Sequence, residues 1–191
     1  MEYRIYGDAI QYLVARLSKD DKVFADIGSV IMKDTGIKMN TDYQQLLEHS
    51  LSLESQNFIE FKNILNSDKK MIFSVQSACE IMELESHRSY HINPQRILCA
   101  NHPLKKQNGA LVLLKEMHLF LYGYGEIISR KLDENTYLDL DKNTILAISE
   151  NIFIDKSDIN TISVKGPGQV WLSTLGEPVS ISESIWVKEI D

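Results

Sequence analysis

Cys79, His87, His91, Cys99 and His102 lie within 24 residues, and thiolates and imidazoles are the side chains that hold zinc and other transition metals. His87 and His91 stand four apart, which on a strand turns both to one side. The spacings match none of the paired Cys/His patterns of structural zinc sites, and the His-x-His of a cupin-type centre does not occur. Turn histidines and buried thiols are the plainer account. No metal is therefore expected, with His87, His91, Cys99 and His102 as the candidate ligands should one be held.

Other chemistries fare no better. Cys99 and His102 have a nucleophile and a base, but a three-residue offset in an extended segment sends the side chains to opposite faces. No serine sits in a Gly-x-Ser-x-Gly elbow. Asp133, Glu134, Asp139 and Asp141 offer oxygen to a hard cation, yet Leu138 and Leu140 alternate with the latter two, as in a strand with one wet face. Tyr122, Tyr124, Trp171 and Trp186 would suit a stacking surface for a ligand or RNA, but such aromatics more often fill a core or a subunit contact. The expectation is a protein without catalytic residues or cofactor.

The elements carrying these residues read as short strands between turns. Val23 to Ala25 precede Ile27-Gly28-Ser29; Val30-Ile31-Met32 follow, then Lys33-Asp34-Thr35-Gly36, then Ile37 and Met39. The pattern returns. Residues 132–154 lie over 17–39 at a constant separation of 115, matching Val23 with Leu138, Ala25 with Leu140, Asp26 with Asp141, Val30 with Ile145, Ile31 with Leu146 and Ile37 with Ile152. Gly28 meets Asn143, both residue types that tolerate positive φ. A third, more diverged copy lies 48 residues before the last, placing Tyr90 on Leu138, Ile92 on Leu140, Asn93 on Asp141, Ile97 on Ile145 and Leu98 on Leu146. Units of this kind bury their apolar faces against one another.

Segments 119–127 and 162–172 are β-rich arms broken by Gly123-x-Gly125 and Gly166-x-Gly168, which suit a hairpin turn, a bulge or a close crossing. Gly28, Gly123, Gly125, Gly166 and Gly168 are thus expected structural turns. A dinucleotide loop is excluded, because Ile128 and Trp171 stand where its third glycine belongs. Helical spacing of Tyr43, Leu46, Leu47 and Leu51, and again of Phe58, Phe61, Ile64 and Leu65, predicts a helical insertion over 43–66. Residues 176–191 read as a C-terminal extension, a strand or a partner-binding tail.

The fold expectation is an all-β single domain over 1–191: a short double-stranded β-helix or β-sandwich of about three repeated units, near 1–42, 70–104 and 110–175. Val23-Phe24-Ala25-Asp26-Ile27-Gly28-Ser29-Val30, Leu121-Tyr122-Gly123-Tyr124-Gly125-Glu126-Ile127 and Gly166-Pro167-Gly168-Gln169-Val170-Trp171-Leu172 resemble the altered-inheritance-of-mitochondria 24 family, a bacterial domain of unknown function. The resemblance runs through most of residues 1–175. It implies a fold shared with the tryptophan RNA-binding attenuation protein, a pseudo-threefold body that often oligomerises, and no catalytic residues. It also implies glycine-rich inserts between strands, where this chain has residues 43–66 and a short loop near Lys105 to Gly109.

The apolar fraction of 43% and charged fraction of 25% are those of ordinary folded domains. Twenty Lys and Arg against 27 Asp and Glu leave a net charge of −7, which disfavours nucleic acid as a partner. Residues 1–17 mix Glu2, Arg4, Asp8 and Arg16 into the apolar positions, unlike a signal or transit peptide, and no transmembrane run is present. A cytoplasmic address with Cys79 and Cys99 as free thiols is expected. The function expected is a non-enzymatic scaffold or protein-interaction module that forms a homo-oligomer, a trimer among the options, and meets an unidentified protein partner. The alternative is a β-barrel binding a small molecule or transition metal, with enzymatic activity as one option.

Overall fold

The computed structural model describes residues 1–40, 58–75, 77–86, 88–104, 106–107, 110–113 and 115–176. The described chain is all-β. In order it forms β1 (Glu2–Tyr6), β2 (Tyr12–Leu17), β3 (Lys22–Asp26), β4 (Val30–Lys33), β5 (Ile37–Asn40), β6 (Phe58–Asn63), β7 (Lys69–Phe73), β8 (Cys79–Leu84) and β9 (Ser89–Ile92). There follow β10 (Ile97–Ala100), β11 (Lys106–Gln107), β12 (Ala110–Val112), β13 (Leu119–Leu132), β14 (Tyr137–Asp141), β15 (Ile145–Ser149), β16 (Phe153–Ser157), β17 (Thr161–Lys165) and β18 (Gly168–Leu175). One sheet runs β1-β2-β7-β4; a long one runs β11-β12-β9-β15-β18-β13-β10-β3-β6-β5 with β8 also on β13; a third runs β14-β17-β16.

The local chemistry of the turns explains a shared order of strand, 3-10 turn, strand. Turns at Ile27–Ser29, Pro94–Arg96 and Lys142–Thr144 join β3 to β4, β9 to β10 and β14 to β15. Each is capped by the carboxylate or amide of the residue before it. Asp26 accepts from the Gly28 N–H at 2.6 Å, Asn93 from the Gln95 N–H at 3.1 Å and Asp141 from the Asn143 N–H at 2.9 Å. Gly28 and Asn143 thus sit in right-handed turns without positive φ, contrary to the expectation from their types. Their N–H groups, rather than their conformational freedom, serve the turn.

The strand after each turn carries an irregularity at the same place. Pairing skips a residue between Val30 and Met32 on β7, between Ile97 and Cys99 on β13, and between Ile145 and Ala147 on β18. The core is divided into three clusters. One gathers Leu13, Val23, Phe61, Met71 and Phe73 with Leu98; another Tyr90, Leu119 and Leu121 with Leu146; the last Leu132, Leu140, Ile145, Ile162, Val164 and Val170.

The helical insertion predicted over 43–66 is not what the chain does at its described end. Phe58–Asn63 is β6, paired with β3 on one side and β5 on the other. Phe61 and Asn63 alternate inward at a strand's period of two, and Phe61 closes the cluster around Val23; distant partners outweigh the local helical spacing. The rest of the insertion, up to residue 57, lies outside the described residues, as does the tail from 177 onward. Gly123 and Gly125 lie within the 14-residue β13, where pairing to β18 shifts between Tyr124 and Ile127, so this Gly-x-Gly is a bulge. Gly125 has φ +70°, and an added Cβ would strike the Thr174 side chain. Gly166 and Gly168 instead form the turn from β17 to β18, around a cis Gly166-Pro167 bond.

Candidate functional site

The Cys/His candidates are held apart by the sheet. His91 is on β9, opposite Ile148; Cys99 is on β10, fully buried between Ala25 and Phe120; His102 is exposed in the turn that follows. His87 lies outside the described residues. No three His, Cys, Asp or Glu side chains cluster with metal-holding geometry among the described residues. Burial pushes the Cys99 thiol well above its ordinary value, helped by the Glu83 charge, and burial likewise raises Cys79 on β8. Both are free thiols held in the protonated form, the opposite of an activated nucleophile or metal ligand.

The acidic group is solvated. Asp133, Glu134, Asp139 and Asp141 are all exposed; Asp139 accepts from the Ser163 hydroxyl and Asp141 caps its turn. Trp171 packs edge-on against Tyr90 at 5.6 Å between ring centroids, and Trp186 lies outside the described residues.

Tyr122 and Tyr124 meet a residue that the sequence reading passed over. Arg96, the last residue of the turn after β9, is completely buried. Its guanidinium carbon lies 4.5 Å from the Tyr124 ring centroid and 5.9 Å from that of Tyr122. Nη2 donates to the Asn143 carbonyl at 3.0 Å, tying the second capped turn to the third, while Nε and Nη1 have no acceptor among the described residues. The Tyr122 hydroxyl donates to the Gln95 carbonyl at 2.8 Å. The signal available in the sequence was that Arg96 matches Ser29 and Thr144, whose hydroxyls each donate to the cap residue's carbonyl at 2.8 Å. A long cation at a position otherwise kept for small hydroxyls has a different task.

A second feature lies on the surface. Val30-Ile31-Met32-Lys33 reads like Ile97-Leu98-Cys99-Ala100 and Ile145-Leu146-Ala147-Ile148, yet the latter two segments are buried throughout and β4 is not. β10 and β15 have strands on both sides; among the described residues β4 pairs with β7 alone. Ile31 is consequently 64% exposed, beside Ile27 and Met32. β14 likewise has β17 on one side and no strand on the other among the described residues. β1, with Ile5 and Tyr6, and β16, with Phe153, also carry exposed apolar side chains at sheet edges. Unpaired backbone next to apolar side chains is the chemistry of strand addition.

The model of the family described as mitochondrial biogenesis AIM24 matches residues 3–175. The chain belongs to this family. Among solved structures, the crystal structure of a Streptococcus pyogenes protein superposes on this chain with a TM-score of 0.70. The match covers 92% of this chain and 94% of that one at 16% identity, a likeness of fold alone. No curated protein sequence matches the chain. No helix among the described residues of this AIM24 family member is long and apolar enough to cross a membrane.

Proposed function

We propose that this AIM24 family member is a non-enzymatic scaffold that self-associates and presents its loops to another protein. The observation carrying this reading is the exposed apolar surface on unpaired edge strands, led by Ile31 on β4. Soluble β-proteins ordinarily blunt such edges with charge or cover them, because an open edge invites another strand. Covering them with a copy of the same chain removes the liability and fits a symmetric assembly, a trimer included. The body is read as three repeated units with the attenuation-protein kind of β-architecture, on the strength of the three capped turns and matched bulges. A reducing, cytoplasmic setting suits its two buried thiols, and the net charge of −7 speaks against RNA. Sedimentation velocity at micromolar concentration should find a discrete oligomer; a strict monomer over the whole accessible range would remove the reading.

A second reading, binding of a small anion, is favoured by Arg96, whose Nε and Nη1 lack acceptors among the described residues. Thermal unfolding should then rise with millimolar phosphate or acetate but not chloride, and Arg96→Met should abolish the difference. An anion-independent midpoint leaves the scaffold reading alone.

A further inference from the structure

We propose that a second copy of this chain lays its β14 antiparallel against β4, seating Ile31 in that copy's third apolar cluster. The inference rests on the self-association proposed above and gives it an interface.

The warrant is a junction the molecule makes twice internally. β10 pairs antiparallel with β3, setting Cys99 opposite Ala25 and Ala100 opposite Phe24. β15 pairs antiparallel with β9, setting Ala147 opposite Ile92 and Ile148 opposite His91. Cys99 and Ala147 occupy matched positions, as do Ala25 and Ile92, so the two junctions share one register. In each, the bulged residue is a leucine with no exposure, Leu98 or Leu146. Leu98 belongs to the cluster around Val23, and Leu146 to the cluster around Tyr90. Each is a knob that shares a cluster with the capped-turn strand of the unit before it, Leu98 with Val23 and Ala25 of β3 and Leu146 with Tyr90 of β9.

A third junction of the same kind needs β4 and β14. These are the remaining strands of the three capped-turn units, and neither pairs with the other or with a second neighbour among the described residues. Carrying the register over sets Met32 opposite Leu140 and Lys33 opposite Asp139. Lys33 and Asp139 are both exposed and opposite in charge, a favourable cross-strand pair. Ile31 is the bulged residue and matches Leu98 and Leu146, so it is the knob, left 64% exposed. Among the described residues, the cluster around Leu140 holds no such knob from another unit. Each copy offers one knob edge and one receiving edge, so the contact is head-to-tail and propagates until a ring closes.

The test mixes two singly substituted full-length proteins, Lys33→Cys and Asp139→Cys, under mild oxidation. Directly opposed residues on antiparallel strands have Cα atoms about 4.5–5.5 Å apart, within disulfide reach. Cys79 and Cys99 are buried and do not compete. A disulfide-linked dimer that forms in the mixture and in neither protein alone supports the interface. Ile31→Glu introduced into the Lys33→Cys protein should cut its yield about tenfold or more. If wild-type protein sediments as an oligomer but the mixture gives no cross-link, this interface falls and the scaffold reading stands. If the wild type is monomeric, both fall. A Lys33→Cys/Asp139→Cys protein that closes its disulfide within one chain overturns the inference outright, because β4 and β14 of a single molecule would then meet.

Discussion

At the scale of single residues, burial decides chemistry. Arg96 has lost water on every side and gained one carbonyl and two tyrosine faces in exchange, with Nε and Nη1 left without an acceptor among the described residues. The uncompensated donors cost stability, while the guanidinium's packing on Tyr124 supplies it. Arg96→Ala should therefore destabilise by about 2–4 kcal/mol in urea titration, through lost packing. Arg96→Met, which keeps the volume and removes the donors, should stay within about 1 kcal/mol of wild type or exceed it. The buried thiols set an alkaline limit. Unfolded chain releases thiol protons above about pH 8.5, whereas Cys79 and Cys99 retain theirs in the fold. Above that pH the native state binds more protons than the unfolded one, so stability falls as pH rises. Urea midpoints between pH 7 and 10 should decline, and Cys99→Val should flatten the slope.

At the scale of elements, the 3-10 turns are the hinges of the architecture, and one short polar side chain makes each of them. Asp26, Asn93 and Asp141 each hold an N–H two residues on. Alanine at any of the three should cost about 1 kcal/mol by chemical denaturation, with similar losses at all three sites. A loss confined to one site would mean that neighbouring strands, rather than caps, define the turns. The bulge in β13 makes a sharper demand. An added methyl at Gly125 meets Thr174 at a φ of +70°, so Gly125→Ala should disturb the β13–β18 pairing and lower the melting temperature. Amide exchange in β18 reports that directly.

At the scale of the whole molecule, a single hydrophobic position is met in three settings. Leu98 and Leu146 are interior because β3 and β9 cover them, and Ile31 is on the surface because no described strand covers β4. At dilutions where the chain is monomeric, Leu98→Ala and Leu146→Ala should each cost about 2–5 kcal/mol, as large-to-small changes in a core do. Ile31→Ala should cost under about 1 kcal/mol there. The ranking should shift at high concentration, where Ile31→Ala weakens association. Equal losses at all three positions in the monomer would show that β4 is covered by its own chain.

What the sequence by itself determined is local. Alternation of apolar residues and Asx-led turns made the strands around residues 22–33 and 137–149 legible, together with the equivalence of Asp26, Asn93 and Asp141, because a cap needs only a short polar side chain two residues from its donor. The solvated acidic strand at Asp139 and Asp141 was legible for the same reason. Tertiary structure alone decided the rest. Phe58 to Asn63 has helical spacing and becomes a strand because β3 and β5 lie on either side of it. Arg96 looks like a surface cation until Tyr124 and the turn at Asn143 close over it. Ile31, Leu98 and Leu146 are nearly the same residue in the sequence; whether each is core or surface depends on which strand lies alongside, and pairing between distant strands is written in no short window of the chain.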